Sequence, residues 1–495
     1  MFDSAELGHS ISKRTYEREE PKLREALLDA QYDLFQDGRF PVAVLIAGVD
    51  GAGKGETINL LNEWMDPRHI RTEAFGTPSE EERERPPMWR YWQALPQKGK
   101  IGILFGHWYT EPITGRVYGD IRQSQLVERI ERIVNLERML ADEGVLLLKF
   151  WFHLSKAAQK KRLISLEKDP RTRWRITDED WEHFKLYDRF RKASEFTLRH
   201  TSSGAAPWIV VEGADPNYRS LTVGRTLLAA MRERLDRKLP RKRADRKPPL
   251  APAIDTRNVL ASLDLSQKLE RRKYEDLLNR YQARLNSLSR HPRFRKHSAT
   301  LVLEGQDAAG KGSAIRRISR ALDARQYRIV PVAAPTEEER AQPYLWRFWR
   351  HVPRRGRFTI FDRSWYGRVL VERVEGFASE ADWMRAYPEI NDFEEQLAEA
   401  GGIVIKFWLA ISKEEQYRRF KEREKTAFKR FKITPEDWRN RKKWQAYETA
   451  VCDMVDRTST GIAPWTLVEA DDKFYARIKV LRTVCERIEE ALEKR

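Results

Sequence analysis

Gly305-Gln306-Asp307-Ala308-Ala309-Gly310-Lys311-Gly312 decides the fold of this chain, because it also occurs earlier as Gly48-Val49-Asp50-Gly51-Ala52-Gly53-Lys54-Gly55. Both octets follow an apolar, strand-like run, Ala299–Glu304 and Val42–Ala47, and both open a helix-like stretch. A glycine-rich turn between strand and helix aims backbone N–H groups and the helix N-terminus at an anion, and the lysine adds a point charge. One such octet is a common coincidence. Two in the same context point to phosphate binding.

The offset of 257 residues between Lys54 and Lys311 carries further matches. Trp89-Arg90-Tyr91-Trp92 becomes Trp346-Arg347-Phe348-Trp349, Trp108-Tyr109 becomes Trp365-Tyr366, and Lys149-Phe150-Trp151 becomes Lys406-Phe407-Trp408. One difference stands out: Asp362-Arg363-Ser364 replaces Phe105-Gly106-His107. A carboxylate at a strand end facing a phosphate loop is the usual holder of Mg²⁺. The second copy is therefore expected to be catalytic and the first degenerate.

The 495 residues divide into an N-terminal domain over 1–239, a polar, proline-broken linker over 240–254 and a C-terminal domain over 255–495. Each domain is expected to begin with helix, over residues 1–40 and from about 255 to 288. In the second domain, Phe358–Asp362, Gly402–Ile411 and Trp465–Glu469 read as further strands separated by helices. Such alternation, after each loop, predicts an α/β fold of two tandem P-loop domains, each a parallel sheet flanked by helices. Ligands on these sheets bind at the carboxyl ends of strands.

Two cysteines, Cys452 and Cys485, argue against a disulfide scaffold and suit a reducing compartment. The N-terminus does not read as a secretory signal, and no run approaches the roughly 18 apolar residues of a membrane span. The expected setting is cytoplasmic, with no membrane partner. A formal net charge of +18 attracts anions. Nucleic acid is the first polyanion to consider, but 75 acidic residues accompany 93 basic ones without a long basic tail, so none is expected as a partner.

Within the second domain, Gly305, Gly310, Gly312 and Ser313 form the expected phosphate cradle around Lys311. Glycine follows each loop lysine where ordinary P-loops carry the Mg²⁺-binding Ser or Thr, and Ser313 lies one residue later, with Glu56 as its counterpart. Asp307 reads as a metal ligand with Asp362, as an acceptor for a substrate hydroxyl proton, or as an Asx-turn residue. Arg363 and Arg368 supply guanidinium groups for phosphoryl oxygens. Glu372 is a more remote supporting candidate. Most rings of the Trp346–Trp349 segment are read as core, with Arg347 facing nucleotide phosphate. Trp365 and Tyr366 are read as nucleotide contacts. Thr336-Glu337-Glu338-Glu339 and Ser79-Glu80-Glu81-Glu82 read as exposed helix starts. The densest basic stretch, from Lys425 to Lys443, offers Lys425, Lys429, Arg430, Lys432, Lys442 and Lys443 to a polyanion as a lid, interrupted by a helix start at Thr434-Pro435-Glu436-Asp437.

With its GxDxxGKG loops, the Phe361-Asp362-Arg363-Ser364-Trp365-Tyr366 strand end and the Lys425–Trp444 lid, the chain resembles the polyphosphate kinase 2 family, and its tandem layout is similar to the fused two-domain members. The resemblance implies that the tandem domains are P-loop kinase-like, with a helical lid, and carry out Mg²⁺-dependent transfer of a terminal phosphoryl group from inorganic polyphosphate to AMP, giving ADP. It maps the catalytic set onto Asp307, Lys311, Asp362 and Arg363, and implies homo-oligomers in which fused pairs imitate a dimer. It leaves anion binding by Asp50 and Lys54 open. The residues alone also accommodate an ATP-dependent nucleoside monophosphate kinase, or a non-catalytic polyanion-binding protein, which is the expected role of the first domain by itself.

Overall fold

Short runs rich in Val, Ile, Leu and Phe, buried on both faces, become the strands of two parallel sheets. A computed structural model describes residues 1–237, 258–426 and 433–493. The chain forms two compact units. In the first, strands β1 (Val42–Gly48), β2 (Ile70–Ala74), β3 (Ile101–Phe105), β4 (Leu146–His153) and β5 (Trp208–Glu212) lie in the order β2-β3-β1-β4-β5. In the second, β6 (Ser298–Gly305), β7 (Tyr327–Pro331), β8 (Phe358–Asp362), β9 (Gly402–Ala410) and β10 (Trp465–Glu469) take the same order, β7-β8-β6-β9-β10. The strand register also repeats: Val302 faces Phe361 and Lys406, as Leu45 faces Leu104 and Lys149. The α/β fold expected from the sequence is thus present twice.

The edge strands β2 and β7 escape the sequence reading because most of their residues are half-buried or exposed, so neither shows an apolar run. The second helical segment begins later than expected. Its helix spans Arg271–Arg290. Upstream, the Asp264 carboxylate accepts from the Ser266 amide at 3.1 Å and the Gln267 amide group at 2.6 Å, a local turn that competes with helix. Residues 255–257 lie outside the described ones, as do those of the expected linker. Capping boxes at Ser79, Thr336 and Thr434 confirm the three expected helix starts.

In each unit the helix that leads in packs against the last one, Lys13–Asp37 on Pro216–Asp236 and Arg271–Arg290 on Lys473–Glu493. A buried polar lock also repeats. On β9, Lys406 is fully buried and donates to Glu394 at 2.7 Å, to the Thr458 carbonyl at 2.7 Å and to Tyr366 OH at 2.9 Å. Trp365 and Tyr366 donate to the other oxygen of Glu394, at 3.0 and 2.7 Å. On β4, Lys149 makes the same set with Glu137, Thr201 and Tyr109, and Trp108 joins it. Burial pushes Lys406 down and Glu394 up, and their mutual attraction opposes both shifts.

Removing one member of such a pair leaves a buried charge without its counter-ion. Glu394→Ala is expected to cost about 3–5 kcal/mol of stability, and the double change Glu394→Leu with Lys406→Met to recover much of it. Chemical denaturation of the three proteins checks both.

Candidate active site

β6 and β8 are neighbours in the second sheet, so the phosphate loop after β6 and the Asp362-Arg363 corner after β8 open at the same sheet edge. Gly305 leaves the strand with φ +149°, and a Cβ there would lie 2.5 Å from the Leu409 carbonyl oxygen. Gly310, at φ +115°, caps the helix Lys311–Ser319. Lys311 curls back over the loop, donating to the carbonyls of Gly305 at 2.7 Å and Gln306 at 3.2 Å. Burial lowers its affinity for a proton, and so does Arg363, while Asp307, Asp362 and Glu304 work the other way.

Two positions of this loop region carry strain that the first copy avoids. Ala308 and Arg363 have φ of 66° and 64°, where their counterparts are Gly51 and Gly106 at 78° and 69°. Left-handed backbone at a side-chain-bearing residue costs on the order of 1 kcal/mol and gathers at functional sites. At Arg363 the return is position: its Nη2 meets Asp307 Oδ1 at 3.0 Å. Burial opposes the charge on Arg363, and Asp307 and Glu304 outweigh it, so its pKa is raised. The other Asp307 oxygen accepts from Asn440 Nδ2 at 2.8 Å. Tyr447 OH donates to Asn440 Oδ1 at 3.3 Å. Burial raises the Glu304 pKa, which nearby Lys311 and a hydrogen bond from Ser364 at 2.9 Å oppose.

A cavity of about 700 Å³ opens on the loop. Asp307, Gly310, Lys311, Gly312, Ser313, Asp362 and Arg363 line it, together with Arg316, Arg317, Arg419, Arg423, Lys473 and Arg477. Burial and the like charges of Arg317 and Arg316 lower the pKa of Arg477, as expected where cations crowd. A second pocket is lined by Leu370, Val371, Trp408, Trp444, Tyr447 and Glu448, among others. Gly305 lines this second pocket, and Asp307 and Arg363 line both.

The other expected site residues fall elsewhere. Trp365 and Tyr366 are fully buried, so no nucleotide reaches them; they belong to the lock around Lys406, because a large ring with one polar atom suits a buried network. Arg347 pairs with Glu339 at 3.2 Å and Arg368 with Glu372 at 2.9 Å; neither lines the cavity. Lys425 ends its helix and is exposed, Lys442 lines a separate shallow depression with Trp438, and Lys443 pairs with Glu375 at 3.0 Å. Lys429, Arg430 and Lys432 lie outside the described residues.

The cavity cations Arg316, Arg317, Lys473 and Arg477, the positioning residue Asn440 and the buried Glu304 were not singled out from sequence. The signal that finds them is the difference between the copies, where Asn59, Leu60, Pro216, Ser220, His183 and Ala47 occupy these positions.

A family model for polyphosphate kinase 2 matches residues 10–238 and again 268–495. The chain is 61% identical over 494 residues to the polyphosphate:AMP phosphotransferase of Pseudomonas aeruginosa, covering all of both chains. It is 38% identical to the polyphosphate:AMP phosphotransferase of Acinetobacter johnsonii, over 95% of this chain and 96% of that one. A crystal structure from Pseudomonas aeruginosa described as a polyphosphate kinase 2 superposes with a TM-score of 0.91 at 59% identity, covering both chains fully.

Gly305→Ala places a methyl group against a strand carbonyl at a φ that side chains avoid. It is expected to destabilise the second unit by more than about 2 kcal/mol. Gly48→Ala, whose Cβ would lie 2.1 Å from the Phe152 carbonyl oxygen, is expected to do the same to the first. Urea titration of each variant measures the loss.

Proposed function

We propose that this chain, which belongs to the polyphosphate kinase 2 family, transfers the terminal phosphoryl group of inorganic polyphosphate to AMP, giving ADP. The catalytic domain is residues 255–495; residues 1–239 form a degenerate copy, and 240–254 join them. The observation that carries the reading is the cation-lined cavity on the Lys311 loop, separated from an aromatic pocket by Asp307 and Arg363. The donor chain lies along Arg316, Arg317, Arg423, Lys473 and Arg477. AMP enters from the side of Trp444 and Tyr447, and its phosphate meets the donor beside Asp307. Five cations beyond the loop lysine and Arg363 exceed what the phosphates of ATP engage, which favours the polymer as donor.

In the transfer, an oxygen of the AMP phosphate forms a bond to the terminal phosphorus, and the bond from that phosphorus to the bridging oxygen breaks. The shortened polymer leaves with the electron pair. A nucleoside monophosphate is already ionised at neutral pH, since its second pKa is about 6, so no base has to remove a proton. Asp307 therefore positions rather than deprotonates. Lys311 and Arg363 offset charge on the transferring oxygens. Asp362 and Asp307 offer the hard oxygen donors that suit Mg²⁺, an ion that takes one or two carboxylates and completes its shell with phosphate oxygens and water. Bound there, it would screen the phosphoryl charge. The reading includes a homo-oligomer of fused chains, checked by light scattering against the 58.4 kDa of one chain. No helix of the described residues is long and apolar enough to cross a membrane.

ADP formation from AMP is expected with long-chain polyphosphate and not with ATP as sole donor. Asp362→Asn and Lys311→Ala are expected to lower kcat about 10³-fold or more, while Lys54→Ala keeps most of it. Turnover with ATP alone would overturn the donor assignment.

The two compartments separate in kinetics. Trp444→Ala is expected to raise KM for AMP about tenfold and leave that for polyphosphate nearly unchanged. Arg477→Ala should raise KM for polyphosphate and flatten its steep dependence on ionic strength. Equal shifts for both substrates in either variant would refute the division.

A further inference from the structure

The amino-terminal loop keeps its lysine, but a glutamate stands where the second loop has a serine. Glu56 stands on the first turn of the helix Lys54–Trp64, at the position of Ser313. Its carboxylate receives Arg219 Nη2 at 2.7 Å, Arg162 Nη2 at 2.9 Å and Arg175 Nη1 at 3.3 Å. Arg219 is buried and braces the loop as well, donating to the carbonyls of Ala52 at 3.3 Å and Gly213 at 3.1 Å. Its guanidinium lies so close that a Cβ on Gly53 would be 2.0 Å away. In the second unit Arg419 does that bracing instead, donating to the carbonyls of Ala309 at 3.0 Å and Ala470 at 2.6 Å. There Ser313, a neutral hydroxyl, receives Arg477 at 2.9 Å and Arg317 at 3.3 Å.

A second observation runs in the same direction. With Gly106 in place of an arginine, Asp50 turns to Lys54 at 3.1 Å and to His183 at 2.8 Å. Burial pulls the Asp50 carboxyl up, but Lys54 and His183 outweigh it and hold it well below the usual carboxylate range. In the second unit Arg363 and Asn440 take Asp307, and Lys311 bonds only to loop carbonyls among the described residues. The loop lysine and the arginines near the helix start are thus matched by fixed carboxylates in one copy and left to a diffusible anion in the other.

We propose that Glu56 is a built-in anion that fills the phosphate cradle of the amino-terminal repeat, so that this half binds no phosphate chain although its loop lysine is intact. A tethered carboxylate competes intramolecularly, and dissolved phosphate has to displace it together with its three arginines. This reverses the polyanion-binding role expected of the first domain from Asp50 and Lys54. One substitution, Glu56→Ser, converts the position to the residue of the catalytic copy and leaves the arginines for a phosphoanhydride.

Calorimetric titration of the full chain with tripolyphosphate, without nucleotide, tests this. Wild type and Lys54→Ala are expected to bind one tripolyphosphate per chain. Glu56→Ser should bind two, and Lys54→Ala in that background should remove the added one. Two per chain in wild type, one of them lost in Lys54→Ala, would overturn the proposal. So would a Glu56→Ser protein with native circular dichroism and intact phosphoryl transfer that still binds one. Should Glu56→Ser not fold, the comparison of wild type with Lys54→Ala decides alone. Failure of the assigned catalytic site would show separately, as binding that survives Lys311→Ala.

Discussion

The strand corner beside the second phosphate loop is held through one buried ion pair, Lys406 with Glu394. The lysine sits on a central strand, and the glutamate projects from the helix Glu380–Glu399. Trp365 and Tyr366, bound to the same glutamate, immediately follow Asp362-Arg363-Ser364. The corner that carries Asp362 is therefore anchored by the Trp365-Tyr366 pair that follows it, inside a network in which every partner is satisfied. Desolvation of both charges makes such a pair poor evidence for stability, but a strong geometric constraint. A corner that strays moves Asp362 and Arg363 together.

That constraint explains what the sequence disclosed and what it concealed. The loops, most central strands and the helix starts were legible because glycine spacing, apolar runs and capping residues are local signals. The lock was visible only as repeated words, Trp-Tyr and Lys-Phe-Trp, and the adjacency of Trp365 and Tyr366 to Asp362 made them look like ligand contacts. Their rings point into the core instead. Retention of the same words in the half that lacks Asp362 marks them as architecture, since they occur with and without the carboxylate they adjoin. The cations of the cavity were hidden for the opposite reason. Arg316, Arg423 and Arg477 come from three helices far apart in sequence, and no local pattern joins them.

Strain follows the same division. Ala308 and Arg363 hold left-handed backbone with side chains attached, and the first copy relaxes both positions to glycine. The backbone path is common to both copies; the side chains that make it costly are not. Asp307 shows how one such side chain redistributes charge. Arg363 draws it away from Lys311, whereas Asp50, with no arginine opposite, neutralises Lys54. A single change at a strand corner thus reaches the loop lysine through a carboxylate between them.

The identical strand order of the two sheets has a consequence for how the chain is made. Each strand has two addresses of the same shape in one polypeptide, and exchange between repeats is a known way for such chains to misassemble. Ribosomes add about 5–20 residues per second, so the second loop emerges roughly 13–50 s after the first. That interval exceeds the folding time of most small domains. The first sheet can close before its competitor exists, and the sequence drift between the halves, harmless to the shared lock, further separates the two sets of partners.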